Sequence, residues 1–181
     1  MKYMFASDVH GSAYYCHKML DAYKEEKAER LVLLGDLLYH GPRNDLPKEY
    51  APKEVIAMLN DMKNEIYAVR GNCEAEVDQM VLQFPVMADY CIFAIDGLTF
   101  YATHGHVYNE KNLPPFKEGD ILIHGHTHVL KAEQREGYIL LNPGSVSIPK
   151  EGNPPTYAVL EDKVFTIKDF DGNIVREMRL A

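Results

Sequence analysis

The chain has 181 residues, 46% of them hydrophobic and 25% charged, with a formal net charge of -8. That length suits one domain (1–181) with a full hydrophobic core. The acidic balance speaks against bulk electrostatic binding to nucleic acid, though not against a phosphate site lined by cations.

Residues 2–7 form a short, largely apolar run, which predicts a buried strand delivering Asp8 at its C-terminal end. Ser12 to Lys27 carries Cys16, Met19, Leu20 and Tyr23 at helical spacing and predicts an amphipathic helix. Residues 30–35 (RLVLLG) predict a second buried strand, ending at Asp36. Leu37 to Pro52, rich in Pro, Gly and Asn, is expected to be a loop of functional size. A second helix follows over 52–63, with Val55, Ile56, Leu59 and Met62 on one face, then a third strand over 65–70. This alternation predicts an α/β sheet with parallel strands. The second half changes character. A hairpin is expected over 90–96 and 98–103, then short strands at 120–124, 129–134, 138–142, 157–160, 164–170 and 174–180. Mixed α/β followed by mainly antiparallel β implies two sheets face to face with helices outside. No repeat, low-complexity tract or linker is visible.

Three cysteines without a CxxC pair give no disulfide framework. The N-terminus MKYMFASDVHG has no apolar run of signal-peptide length, and no segment reaches the roughly 18 apolar residues of a membrane helix. A cytoplasmic protein without a membrane partner is expected.

Polar residues collect at the ends of the apolar runs, where sites of open α/β sheets lie. Asp8-Val9-His10 places a carboxylate and an imidazole two residues apart, so that on an extended chain both project to one side. Gly35-Asp36 and Gly71-Asn72-Cys73-Glu74 end two more strands. Each fragment alone reads more readily as a helix cap, a turn or an acidic helix start than as a ligand set. The segments Thr103-His104-Gly105-His106 and His124-Gly125-His126-Thr127-His128 are different, because they hold five of the eight histidines among glycines that let backbone crowd a site. Imidazole, carboxylate and amide ligands suit Mn, Zn, Fe, Co or Ni. Seven candidate ligands, Asp8, His10, Asp36, Asn72, His104, His126 and His128, are too many for one tetrahedral ion, and they divide into two sites sharing Asp36. Two cations roughly 3.5–4 Å apart can activate a bridging hydroxide and clamp a phosphoryl group.

The ordered blocks D-x-H, GD, GN, H and GHTH, with GDLLYHGPRN, RGNCEAEVDQ, THGH and NPGSVSIPKEGNPPTYAVL, resemble the calcineurin-like metallophosphoesterase superfamily. Within it the resemblance is to small stand-alone bacterial phosphodiesterases, over nearly the whole chain. It implies a four-layer α/β/β/α sandwich of two mixed sheets flanked by helices. It also implies two divalent ions, manganese first. One would be held by Asp8, His10, Asp36 and His128, the other by Asp36, Asn72, His104 and His126, with a bridging hydroxide as nucleophile. Asp36, Asn72, Cys73 and His104 form the expected catalytic set. Many relatives have a histidine after the GN block that is thought to protonate the leaving oxygen. Here that position is Cys73, a poor replacement near neutral pH, which points to diesters whose leaving groups need little protonation. The alternative for Cys73 is a small buried hydrophobe.

Arg43 and His106 are candidate substrate contacts, with an exposed loop charge and a supporting role as their alternatives. Asn142 and Ser145 are candidate hydrogen-bonding supports of the GHTH loop. The loop 37–52 and the segment 109–119 are expected to shape the mouth of the site. The expected activity is metal-dependent hydrolysis of a small phosphodiester, with no stable nucleic-acid binding. Alternatives are a phosphomonoesterase or nuclease on the same site, or a protein-binding scaffold like the retromer subunit of this fold. A homo-oligomer stays open.

Overall fold

Strands β1 (Tyr3–Ala6) and β2 (Arg30–Leu33) are buried almost throughout, and they pair in parallel at the centre of the first sheet. Burial on both faces is what their unbroken apolar runs require. The computed structural model describes residues 1–180. Parallel β3 (Ile66–Ala68) flanks β2, while antiparallel β9 (Thr156–Glu161), β10 (Val164–Asp169) and β11 (Ile174–Arg179) extend the other side. The second sheet runs β4 (Tyr90–Ile95), β5 (Leu98–Thr103), β6 (Asp120–Ile123), β8 (Tyr138–Asn142), β7 (Lys131–Gln134). It too is mixed, with β5, β6 and β8 parallel and both edges antiparallel.

Strand alternation sorts the core into layers. Tyr3 and Phe5 of β1 face the second sheet, and between the sheets Phe5 packs against Phe100 of β5 and Phe165 of β10 at ring-centroid distances of 6.1 and 5.9 Å. Met4 and Ala6 face the other way, towards Cys16, Met19, Leu20 and Tyr23 of α1 (Ala13–Glu26) and Val55 and Leu59 of α2 (Pro52–Asp61). The Ser12 hydroxyl caps α1 by accepting the Tyr15 N–H at 3.2 Å, and Pro52 starts α2 at a position that needs no N–H donor.

Two mixed sheets flanked by helices are therefore as expected. The outer face of the second sheet, however, is covered thinly. Leu122, Tyr138 and Leu140 pack under Tyr101 and Phe116, and Phe116 comes from the irregular stretch between β5 and β6. A third helix, α3 (Glu76–Val81), sits beside α2 through Asn60, which donates to the Val81 carbonyl and accepts from the Gln83 N–H. At six residues it is too short to show a period in sequence. The strand expected over 65–70 narrows to Ile66–Ala68, because the Arg70 N–H leaves the sheet to bond the Ala88 carbonyl at 2.8 Å.

The end of α1 is tied to the sheet through Glu26. Its carboxylate accepts from Lys168 Nζ on β10 at 2.6 Å, Tyr157 Oη on β9 at 3.0 Å and Lys2 Nζ at 3.4 Å. Burial pushes the Glu26 carboxyl up, but the Lys168, Tyr157 and Lys2 contacts outweigh it and hold it below its ordinary value. A carboxyl depressed on folding adds stability above its unfolded value, lost as pH falls through the folded one. The Glu26→Gln variant should therefore be less stable by about 1 kcal/mol at pH 7. The gap should close as urea unfolding is repeated at pH values falling below 4.5.

Candidate metal centre

The site forms where strands from both sheets stop. Asp8, Asp36 and Asn72 follow β1, β2 and β3, and His104 follows β5, while His126 and His128 follow β6. Main-chain bonds knit these ends together: Asp8 N to Gly35 O at 3.1 Å, His10 N to Asp36 O at 2.9 Å and Gly125 N to His104 O at 2.9 Å. Two glycines permit the closeness. A Cβ at Gly125 would lie 1.9 Å from Ser7 Oγ, and one at Gly71 would lie 2.1 Å from Asp36 Oδ1.

All seven expected ligands meet here. Ligand atoms of Asp8, His10 and His128 lie within 4.8 Å of one another, and so do those of Asp36, His104 and His126. His128 Nε2 is 3.2 Å from Asp8 Oδ1, and His104 Nε2 is 3.4 Å from Asp36 Oδ2 and 3.0 Å from Asn72 Oδ1. His10 Nε2 lies 3.5 Å from Asp8 Oδ1 and 3.6 Å from Asp36 Oδ2, linking the two groups. The backbone route differs from the extended chain expected from the spacing. Asp8, His10, Asp36, His126 and His128 all have left-handed φ, between 49° and 63°. Asp8 and His10 still reach one cluster, but His126 and His128 part company, one to each. Non-glycine residues in this region cost of order 1–3 kcal/mol each and persist only where the surroundings over-determine them.

The imidazoles are locked. Nδ1 of His10, His104 and His128 faces the carbonyls of Tyr39, Leu34 and Ile148 at 2.8, 2.6 and 2.7 Å. A carbonyl can only accept, so each Nδ1 carries the proton and each Nε2 is turned on the cluster. Asp8 Oδ1, fully buried between two of these nitrogens, has no hydrogen-bond partner among the described residues. A buried carboxylate oxygen facing imidazole lone pairs calls for a positive charge, so this donor set fits a cation. Without one, protons take that role. Burial lowers His104, but Asp36 and Asp8 raise it to about 9 overall. Burial and the neighbouring His104 push His126 down to about 4.

Around this cluster lies a cleft of about 370 Å³, and Arg43, Cys73 and Lys150 stand on its walls. Lys150 gave no signal, being one lysine in a loop. His106 is not on these walls; its ring centroid is 5.4 Å from that of His104, and its Nδ1 is buried without a partner among the described residues. Cys73 Sγ lies within 4.8 Å of ligand atoms of His10 and Asp36. Burial and the Asp36 carboxylate push the thiol up, so it stays protonated at neutral pH. It is half-buried rather than a core residue.

Supports are only partly those expected. Asn142 Nδ2 does hold the GHTH loop, at Gly125 O (2.9 Å) and Thr127 Oγ1 (3.2 Å). Ser145 instead donates to the Asp8 carbonyl at 2.9 Å, joined by Ser147 at 3.1 Å. Glu74 is the support sequence reading missed, because an acidic residue after a turn looks like a helix start. Its carboxylate accepts the N–H groups of Asp36, Leu37 and Gly71 at 2.8, 2.7 and 2.5 Å, joining the ends of β2 and β3.

Residues 1–163 match the calcineurin-like phosphoesterase superfamily domain. The chain is 47% identical over 167 residues to phosphodiesterase YfcE of Escherichia coli K12, covering 92% of this chain and 91% of that protein. The solved structure of YfcE, a phosphoesterase from E. coli, matches with a TM-score of 0.98 and 44% identity over 100% of both chains. Wild-type Vps29 from Entamoeba histolytica, complexed with zinc, covers 100% of both chains at 20% identity and a TM-score of 0.59, which shows a common fold alone.

Replacing Glu74 by Ala strands three buried N–H groups and frees the turn that carries Asp36. The Glu74→Ala variant should lose about 3 kcal/mol in urea unfolding. Its affinity for Mn in a metal titration should fall about 10–100-fold. Unchanged affinity at reduced stability would restrict Glu74 to folding.

Proposed function

The chain belongs to the calcineurin-like phosphoesterase superfamily, and from that premise we propose that it hydrolyses small phosphodiesters with the help of two divalent cations. The observation that carries this reading is the unpartnered Asp8 Oδ1 between locked imidazoles, beside a second gathering of ligand atoms from Asp36, His104 and His126. Asp8, His10, Asp36 and His128 would hold one ion, and Asp36, Asn72, His104 and His126 the other. Asp36 is the shared ligand, since its carboxylate faces both His10 and His104. Manganese suits this carboxylate, amide and imidazole set, with Zn, Fe, Co or Ni as alternatives.

Bound there, the pair of ions would supply charge for the phosphoryl oxygens and a bridging hydroxide for in-line attack. The protein's own groups do the rest. Arg43 and Lys150 bring positive charge to the cleft and orient phosphate oxygens. The walls restrict how the diester enters, which turns binding into alignment. Cys73, a thiol held protonated, is too weak an acid to help a poor leaving group at neutral pH, which favours esters of acidic alcohols and phenols. No helix among the described residues is long and apolar enough to cross a membrane, and a cytoplasmic setting is part of this reading.

A phosphomonoesterase or nuclease would use the same cluster, and the acidic chain disfavours the nuclease. A protein-binding scaffold is disfavoured because the ligand set is complete.

Metal-stripped protein should be inactive on bis(p-nitrophenyl) phosphate and regain activity with Mn. The Asp36→Asn variant should stay at least about a hundredfold slower under the same loading. Preference for p-nitrophenyl phosphate would move the protein to the monoesterases, and inactivity with metal bound would favour the scaffold. The Cys73→His variant should gain most on diesters of weakly acidic alcohols. An unchanged dependence of rate on leaving-group pKa would remove Cys73 from the chemistry.

A further inference from the structure

A second cavity of about 390 Å³ adjoins the first, and Cys73 lines both. It is a groove between the start of α2, the turn after β2 and α3. Tyr39, Tyr50, Ile56, Val77 and Val81 form its apolar surface. Its charged neighbours do not oppose an apolar guest. Asp78 is bonded to the Ala75 N–H at 2.8 Å, and Lys53 can keep its ammonium in water. Tyr39, Val77 and Val81 are 43%, 58% and 39% exposed, so apolar surface is gathered in one concave place and left in solvent. Such a patch marks a binding surface. Among its lining residues is Cys73, whose sulfur lies within 4.8 Å of ligand atoms of His10 and Asp36. A group attached to a phosphorus at that cluster would meet the groove one side chain away.

We propose that this groove receives an apolar, aromatic ester arm of the phosphodiester, and that Val77 and Val81 of α3 help set specificity for it. The proposal rests on the phosphodiesterase reading and adds the class of substrate. Charged phosphate chemistry stays in the cleft with Arg43 and Lys150, while the groove reads what hangs from the phosphate. Pockets of this kind combine apolar walls with few polar groups.

The probes are two analogues whose aryl arm is joined to phosphorus by a P–C bond that hydrolysis cannot break, methyl phenylphosphonate and methyl 4-biphenylylphosphonate, tested as competitive inhibitors of methyl p-nitrophenyl phosphate hydrolysis by Mn-loaded protein. The second ring should tighten inhibition about tenfold, the factor for roughly 55 Å² of apolar surface removed from water at about 25 cal/mol per Å². In the Val77→Lys and Val81→Lys variants, both at exposed positions, that ratio should fall towards one. The inhibition constant of the phenyl analogue should change little, and thermal unfolding should show an intact fold. A ratio near one in the unaltered protein, or a tenfold ratio that survives both substitutions, overturns the proposal. So does a variant that alters the sedimentation of an oligomer while leaving the ratio alone, because the groove is then a contact between copies. If no diester is hydrolysed, the phosphodiesterase reading fails instead, and calorimetric binding of the same two phosphonates still decides the groove.

Discussion

A carboxylate with no solvent exposure and an oxygen without a donor, as at Asp8, is costly unless positive charge stands against it. Much of the site can be read as the means of keeping that carboxylate where it is. Ser145 and Ser147 bond its main-chain carbonyl from the far end of the chain, and the His126 N–H donates to Oδ2 at 3.0 Å. Gly125 has no Cβ to push it away. The result is a rigid, desolvated cluster, in which charges act more strongly than they would in water.

Holding it there strains the backbone. Five of the seven clustered residues adopt left-handed φ, which side chains other than glycine avoid. Strain gathered this densely at one place is a mark of a functional site. It also explains why tight pairs such as Asp8-Val9-His10 and His126-Thr127-His128 serve so well. A chain that turns sharply at alternate residues can place neighbouring ligands on one cation or divide them between two. Glu74 supplies the counterforce, because three N–H groups on one carboxylate fix the turns after β2 and β3 together.

The strands were legible in sequence because burial on both faces leaves unbroken apolar runs, as in residues 3–6 and 30–33, and the candidate ligands because fragments that are ambiguous singly stand together at the ends of several such runs. What escaped had no local pattern. Glu74 looked like a helix start, since its three partners lie in two separate turns. α3 is too short for a period, and Lys150 shares the cleft only through folding. The covering of the outer face of the second sheet by Phe116 could not be read from an irregular segment. Asp8 and His10 do reach one cluster, but by another route than an extended chain would take, because both residues have left-handed φ.

Asp8, His10, Asp36 and Asn72 hang from the first sheet, whereas His104, His126 and His128 hang from the second. A cation gripped by both would act as a staple across the interface between the sheets, in addition to any chemistry it performs. At a free concentration one hundred times its Kd, such an ion adds about 2.7 kcal/mol to folding. Cellular metal supply would then govern how much of this protein survives proteolysis as well as how fast each copy works, so scarcity would lower abundance and turnover number together.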